Sequence, residues 1–534
     1  MTQIVEHHLR HSDIPVARPA WVTDEVIEDL AALISRDPAG TGTTASYAPY
    51  DSMLIAELPT STAEDVAAAV ASAREAQRSW RQRPFRERAA VVLAFHDLFI
   101  AEQDQLIDLI QWEMGKARFT AWQEILQVAN ISRHYARKGH KYLGATSVRG
   151  AIPGLTKVAE TRVPKGVVGI ISPWNYPFYL GVGDAVPALL AGNGVVSKAD
   201  SQTALTLLHA RQLMARAGLP TDLWQIVVGP GSVVGTALID QVDYIGFTGS
   251  TATGRTVAEQ AGKRLFGASL ELGGKNPLIV RHDADLTKAA DGAVVSSFAN
   301  TGQMCIHTER VLVHADVYEA FRSEIVRATQ ALRLGQTFDY TVDVGSLATP
   351  AQLAAVADHV EGARAAGATI ITGGRARPDL GPLMYEPTIL EGVTEQMAVC
   401  HEETFGPVIS LYPFSTDAEA IELANEGSYG LSASIWSADV RTARRMAAEI
   451  RSGSVNINDG AAAAAGSIEA PMGGMGDSGL GRRHGAEGIR RYTEAQTVAE
   501  QRLLPLGPPP SMALEKFVSV TNAQLKLLRK LRVR

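Results

Sequence analysis

Hydrophobic positions along the chain change period twice. Residues 61–80 and 86–139 carry helical spacing among Ala, Leu, Glu and Arg, which predicts an N-terminal helical layer. From 166 to 272, short β-branched runs at 167–172, 195–198, 225–228, 244–248 and 269–272 alternate with segments of helix length. Such alternation predicts a parallel sheet with helices on both faces. A second α/β series begins at 276–280 and passes through 311–313, 369–372 and 408–412 to about 455–457. Between the helical layer and the first strand, 146–162 is broken by Gly and Pro, and it predicts an arm or hairpin reaching outside the domain.

Beyond residue 505 the character changes again. Pro505, Pro508, Pro509 and Pro510 interrupt any element, and 514–534 then sets Lys516, Lys526, Arg529, Lys530, Arg532 and Arg534 among Leu and Val. A basic amphipathic helix of this kind is able to lie on a membrane surface. Packing on its own or a neighbouring subunit is the plainer alternative, and no lipidation signal accompanies the segment.

Composition narrows the class. A chain of 534 residues with 46% apolar content can bury a large interior and should divide into two or more domains. Its net charge of −7 argues against nucleic acid as partner. The start, with His7, His8, Arg10 and His11, has no apolar run followed by a cleavage site. No stretch approaches the roughly 20 apolar residues of a membrane span. Cys305 and Cys400, 95 positions apart, form neither a metal-ligand spacing nor a disulfide framework. The expectation is a soluble protein of a reducing, cytoplasmic setting with no metal.

Three groups then stand out. Cys305 closes the run Gly302-Gln303-Met304-Cys305, Glu271 lies 34 positions upstream, and Asn175 sits inside Pro173-Trp174-Asn175-Tyr176-Pro177. A thiol, a carboxylate and a primary amide are what is needed to attack an aldehyde, hold its oxyanion and hydrolyse a thioester. The glycine-bounded run Gly249-Ser250-Thr251-Ala252-Thr253-Gly254 follows a strand and opens a helix, so the helix N-terminus and Ser250 can meet a pyrophosphate. It is not the Gly-x-Gly-x-x-Gly fingerprint.

With Phe247-Thr248-Gly249-Ser250, Glu271-Leu272-Gly273-Gly274-Lys275 and Glu403-Thr404-Phe405-Gly406-Pro407, these motifs follow the order and rough spacing of the aldehyde dehydrogenase superfamily. The chain resembles that family over about residues 45–500, and within it most resembles the NADP-dependent succinate-semialdehyde dehydrogenases of the second type. The resemblance implies an α/β fold with a Rossmann-type cofactor domain at 1–146 and 162–270, and an α/β catalytic domain at 271–480. A small β oligomerisation arm at 147–161 and 481–504 would pair with a neighbour's catalytic sheet, aided by a strand near 496–500, and a basic tail would follow at 505–534. A homodimer or homotetramer is implied.

The same resemblance implies site roles. Cys305 is the nucleophile, and Asn175 with the Cys305 backbone N–H holds the oxyanion. Glu271 activates the water that releases a free acid, whereas CoA-acylating relatives lack this carboxylate. Trp174, Gly249 and Ser250 lie along the pyrophosphate, and Glu403 with Phe405 positions the nicotinamide ribose and ring. Relatives that prefer NAD usually carry Glu where Ser201 stands. A hydroxyl beside Lys198 removes that repulsion, so NADP is the expected cofactor, with NAD as the alternative.

Departures from the family pattern carry their own expectations. Succinate-semialdehyde dehydrogenases that grip the distal carboxylate have Arg eight positions after the catalytic Asn and six before the nucleophile; here Gly183 and Ala299 stand there. The loop 459–471 contains Ala461 to Ala465 in a row, and Met472 replaces an aromatic, so either a wider pocket for medium-chain or aromatic aldehydes or a helix-favouring surface turn is expected. A Lys and Glu pair of relatives is replaced by Asp184 and Arg483; both signs are reversed, which predicts that these two touch. His307 occupies the place of a second, regulatory cysteine, so no redox switch is expected, and Cys400 has no family role.

Overall fold

The computed structural model describes residues 17–150, 156–502 and 507–532; the histidines of the chain's start, the middle of the predicted arm and Pro505 lie outside them. The described chain divides into two units, residues up to 142 with 164–493, and 143–163 with 494–534.

In the larger unit, a six-stranded sheet runs in the order Gly479–Leu480, Gly267–Glu271, Tyr244–Thr248, Val167–Ile171, Gly194–Lys198, Trp224–Val227. All pairs are parallel except the first. Val167, Val196, Val227, Ile245 and Leu270 join Val66 and Val70 of the helix Ala63–Trp80 in one buried cluster. Strands covered on both faces read as continuous apolar runs, which is why these are visible without alternation. Three of the strands end on residues singled out above or beside them: Glu271, Thr248 and Lys198. The strand Val167–Ile171 leads directly into Pro173 and the helix Pro177–Leu190. The carboxyl ends of parallel strands are where open α/β sheets bind ligands.

The second sheet has seven strands in the order Thr369–Thr372, Thr388–Glu391, Val408–Phe414, Thr308–His314, Asn276–Val280, Ser432–Trp436, Ser454–Ile457. Thr388–Glu391 and Ser432–Trp436 go beyond the expected strands, as does the hairpin Thr43–Tyr47 with Leu54–Pro59. Ser-Ala-Ser-Ile-Trp lacks a strand's apolar signature because its serines are served by partners from afar. Ser454 Oγ donates to Ser432 Oγ (3.2 Å) and Ser434 Oγ to the Asp459 carbonyl (2.5 Å). The helical layer is present as Ala63–Trp80, Phe85–Ala101, Gln103–Met114 and Arg118–Leu143.

The smaller unit holds a three-stranded sheet in the order Thr493–Gln501, Thr156–Pro164, Thr146–Val148. It also holds the helix Leu514–Lys530, none of whose residues is buried.

Candidate active site

Cys305 lies between a tight turn at Ala299–Gly302 and the strand Thr308–His314. Asn300, Thr301 and Gly302 take φ of 54°, 57° and 72°. Left-handed backbone at a β-branched residue costs of order 1–3 kcal/mol and persists only where surroundings enforce it. The enforcement is visible. Asn300 Nδ2 donates to the carbonyls of Asn175 (3.2 Å) and Gln303 (2.9 Å), and Gln303 Oε1 accepts from the Ala348 N–H (3.0 Å). Asn276 Nδ2 donates to the carbonyls of Cys305 and His307, both at 2.8 Å. A Cβ on Gly274 would come within 2.7 Å of the Cys305 carbonyl oxygen.

Asn175 is buried, and its Nδ2 donates to the Gln303 carbonyl at 3.0 Å, two residues from the thiol. The turn carrying it is fixed by a pair that sequence reasoning missed. Lys116 Nζ donates to Glu124 Oε1 (2.7 Å) and to the Asn175 carbonyl (2.6 Å), while Glu124 Oε2 accepts from the Phe178 and Tyr179 N–H groups, both at 3.0 Å. Burial pushes Lys116 down and Glu124 up, each opposed by the other's charge.

Glu271 is buried at its strand end, and its Oε1 has no hydrogen-bond partner. Burial pushes its carboxyl up to about 7, against the Arg483 and Arg491 guanidiniums. Burial likewise pushes the Cys305 thiol up to about 12, with the Glu403 and Glu271 carboxylates adding to the rise. The thiol is therefore protonated at neutral pH until a neighbouring base takes its proton.

Glu403 Oε1 accepts from the Gly274 N–H (3.0 Å), and burial followed by the Glu309 charge raises its carboxyl to about 7. Glu309, a second missed residue, pairs with Lys275, lies 2.9 Å from His307 Nε2, and accepts from the Thr404 (2.9 Å) and Phe405 (3.2 Å) N–H groups. It thereby fixes the turn that presents Glu403 and Phe405. The Phe405 ring meets Trp174 edge to face at 5.6 Å.

The remaining predicted residues gather at the other strand ends. Ser250 is the N-cap of the helix Thr251–Lys263, accepting from the Thr253 N–H at 3.3 Å, and no acid occupies the first turn. A Cβ on Gly249 would stand 2.6 Å from the Phe247 ring. Ser201 does not cap the helix that follows it. The helix Ala204–Arg216 has no side-chain cap, and Asp200 caps the single turn Ser201–Thr203 before it, accepting from the Gln202 N–H at 3.0 Å, which spends its carboxylate on its own backbone. Lys198 forms no side-chain ion pair among the described residues. A cation, a hydroxyl and a helix N-terminus without acids make a donor set that fits a dinucleotide with an extra phosphate.

Asp184 and Arg483 do touch. Arg483 Nε and Nη2 reach the two carboxylate oxygens at 2.9 and 2.8 Å, and Arg491 Nη2 adds a third contact at 2.5 Å. Arg483 also donates to Thr248 Oγ1 (2.6 Å). The Ala461 to Ala465 run contains one helical turn, Ala462–Ala465, whose Ala463 N–H donates to Asp459 Oδ1 at 3.0 Å, so the surface-turn expectation describes it. Met472 and Arg483 pair through their backbones, and Met472 Sδ lies 4.0 Å from the Tyr179 hydroxyl. Cys400 is half-buried against Tyr412 in an apolar cluster. Among the described residues no group of His, Cys, Asp and Glu is arranged to hold a metal ion, and no helix is long and apolar enough to cross a membrane.

The sequence profile described as "Aldehyde dehydrogenase family" matches residues 36–498. A Mycolicibacterium smegmatis protein named "Putative succinate-semialdehyde dehydrogenase (NADP+)" is 50% identical over 474 residues, covering 89% of this chain and 92% of that protein. A Mycobacterium ulcerans protein of the same name, numbered 2, is 46% identical over 513 residues, covering 95% and 99%. The crystal structure of succinate-semialdehyde dehydrogenase from Burkholderia pseudomallei superposes with a TM-score of 0.83 at 33% identity, covering 86% of this chain and 95% of that one.

Proposed function

The chain belongs to the aldehyde dehydrogenase family, and from that premise we propose that it oxidises succinate semialdehyde to succinate with NADP, through a covalent thioester on Cys305. The observation that carries the reading is the unpartnered, buried Glu271 Oε1, on a carboxyl raised to about 7, close enough to Cys305 for the two charges to be felt.

Each residue has its share of the chemistry. Glu271 in its ionised form takes the thiol proton, and the Cys305 sulfur adds to the aldehyde carbon. Asn175 Nδ2 keeps one hydrogen for the oxyanion, and losing such a donor typically costs about 10²–10³ in turnover. NADP, when bound, supplies the hydride acceptor. Glu271, having given the thiol proton up to solvent, then removes a proton from water as that water attacks the thioester carbonyl and passes it to the departing sulfur, so the acid leaves with Cys305 restored as a thiol. Lys198, Ser201, Ser250, Gly249 and Trp174 would hold the phosphates, and Glu403 with Phe405 the nicotinamide end.

A second substrate reading has its own support. Gly183 and Ala299 offer no cation to a distal carboxylate, and Arg483 is already neutralised by Asp184. Met304, next to Cys305 in the chain, lies 3.5 Å from the Tyr176 hydroxyl, and Met472 lies beside Tyr179. Such a lining favours medium-chain or aromatic aldehydes. Self-association through the three-stranded arm, as a homodimer or homotetramer, and a cytoplasmic setting suited to two free thiols complete the proposal.

Two experiments decide. Glu271→Gln should lose steady turnover and slow the burst of reduced cofactor as well, because the same carboxylate takes the thiol proton and activates the hydrolytic water; undiminished turnover refutes the assignment. A panel of succinate semialdehyde, hexanal and benzaldehyde, with NADP and NAD, separates the substrate readings by kcat/KM.

A further inference from the structure

The helix Leu514–Lys530 lies beyond residue 498, where the family match stops, and the catalytic reading makes no use of it. Its wheel is sharply divided. At about 100° per residue, Val520 and Leu527 fall at one margin of an apolar arc, Phe517 and Leu528 at its middle, and Val518 and Leu525 at the other margin. This arc covers about half the circumference at that spacing, interrupted by Thr521 and Gln524. Leu525 is 59% exposed, Leu527 55% and Leu514 66%.

Charge is placed to match. Lys516 adjoins the Leu527 margin and Arg529 the Val518 margin, while Lys526 and Lys530 occupy the opposite face with Ser519 and Asn522. Residues 514–532 hold five Lys and Arg against a single Glu, in a chain whose net charge is −7. We propose that this helix docks on the surface of an anionic phospholipid bilayer, its apolar arc in the acyl boundary and its basic margins against the headgroups.

Three arguments favour lipid over protein. A half-circle of apolar surface is wider than the stripe that helix packing requires. Basic side chains at both margins can lay their stems on the apolar arc while their heads reach phosphate. A second copy of the helix would set those margins against Lys and Arg of the same sign, with only Glu515 to answer them. The acidic balance of the rest of the chain leaves this segment as the part that such a surface attracts. At 17 residues with interspersed charges, the helix lies on a membrane and does not span it.

The test uses the full-length enzyme and sucrose-loaded vesicles, either phosphatidylcholine alone or phosphatidylcholine with one third phosphatidylglycerol. Co-sedimentation with the anionic vesicles, lost in high salt and absent with phosphatidylcholine alone, is the expected result. Lys516→Glu with Arg529→Glu should lower the partition coefficient by roughly tenfold or more, and Val518→Asp with Leu525→Asp should abolish binding. Turnover retained by both double variants shows that the loss belongs to the helix. Equal binding to both vesicle types, or none, overturns the proposal. So does a change of oligomeric state in sedimentation velocity without a change in vesicle binding, which would make the helix a contact between subunits.

Discussion

Replacing Asp184 with Asn tests whether the buried charge cluster works as a unit. The carboxylate stands between two guanidiniums, with side-chain exposures of 3% for Asp184, 7% for Arg483 and 8% for Arg491. The amide introduced by Asp184→Asn would keep one acceptor oxygen and turn an N–H₂ toward a cation, leaving two buried positive groups without an anion. Removing one partner from a buried pair costs about 3–5 kcal/mol, because the survivor stays desolvated. Burial alone would raise Asp184, but Arg483 and Arg491 hold its carboxyl well below the usual range. A depressed carboxylate contributes stability that is complete above its unfolded value of about 3.9 and is lost as pH falls through the folded one. The penalty of Asp184→Asn should therefore be full at pH 7 and shrink in strong acid.

A second readout separates this from a packing defect. The charge of Asp184 raises Glu271, and the two arginines lower it. Without the anion, the acid limb of kcat/KM should move to lower pH, while a packing defect would leave its position unchanged. Urea unfolding at neutral and acidic pH, with pH-rate profiles of both proteins, makes the measurement. A loss below about 0.5 kcal/mol at pH 7, the scale of a surface pair, refutes the reasoning, as does an acid limb that moves upward.

Other expectations follow from the same geometry. In the wild-type enzyme, kcat/KM should fall tenfold per pH unit below a limb centred near 7, because Glu271 must be ionised and its carboxyl is raised to about 7; a limb near ordinary glutamate values would mean that the group is solvated. Ser201→Glu should lower the NADP over NAD ratio of kcat/KM by about 10–100-fold, the worth of a charged hydrogen bond lost and a repulsion gained beside Lys198; an unchanged ratio removes both residues from the phosphate site. Lys116→Met should cost about 3–5 kcal/mol by stranding Glu124 and lower kcat by about 100-fold through displacement of Asn175, with cofactor affinity retained; a variant with normal kcat shows that the turn holds without the lysine.

What the sequence revealed and concealed follows a physical division. Cys305, Glu271 and Asn175 stand out as candidates because a thiol and an amide in turns beside Gly and Pro, and a carboxylate at a strand end ahead of Gly273-Gly274, have few other reasons to be there. Apolar strands such as Val167–Ile171 are legible because burial on both faces demands a run without polar side chains, here four β-branched residues around Gly169. The strand Ser432–Trp436 is not, since its polar side chains are satisfied by the Ser454 hydroxyl and the Asp459 carbonyl, groups far away in sequence. Lys116 and Glu124, eight positions apart, look like ordinary charges of a helical layer, yet both are fully buried. Glu309 looks like a polar position on a strand, yet burial is overcome by Lys275 and His307, which hold its carboxyl down at about 2.

Asp184 and Arg483 were legible for a different reason. A pair reversed in sign at both ends keeps its Coulomb energy, so two departures from the family pattern explain each other where either alone would be a fault. Arg491 gave no such signal, although it completes the cluster at 2.5 Å. A single buried anion between two cations leaves a net positive charge that Glu271 feels, and that surplus, invisible to pairwise matching, lowers a carboxyl that burial raises, as the proposed role of Glu271 as base requires. The residues that react are readable by their chemistry. Those that tune them are readable only once the fold has said which charges share the same dry volume.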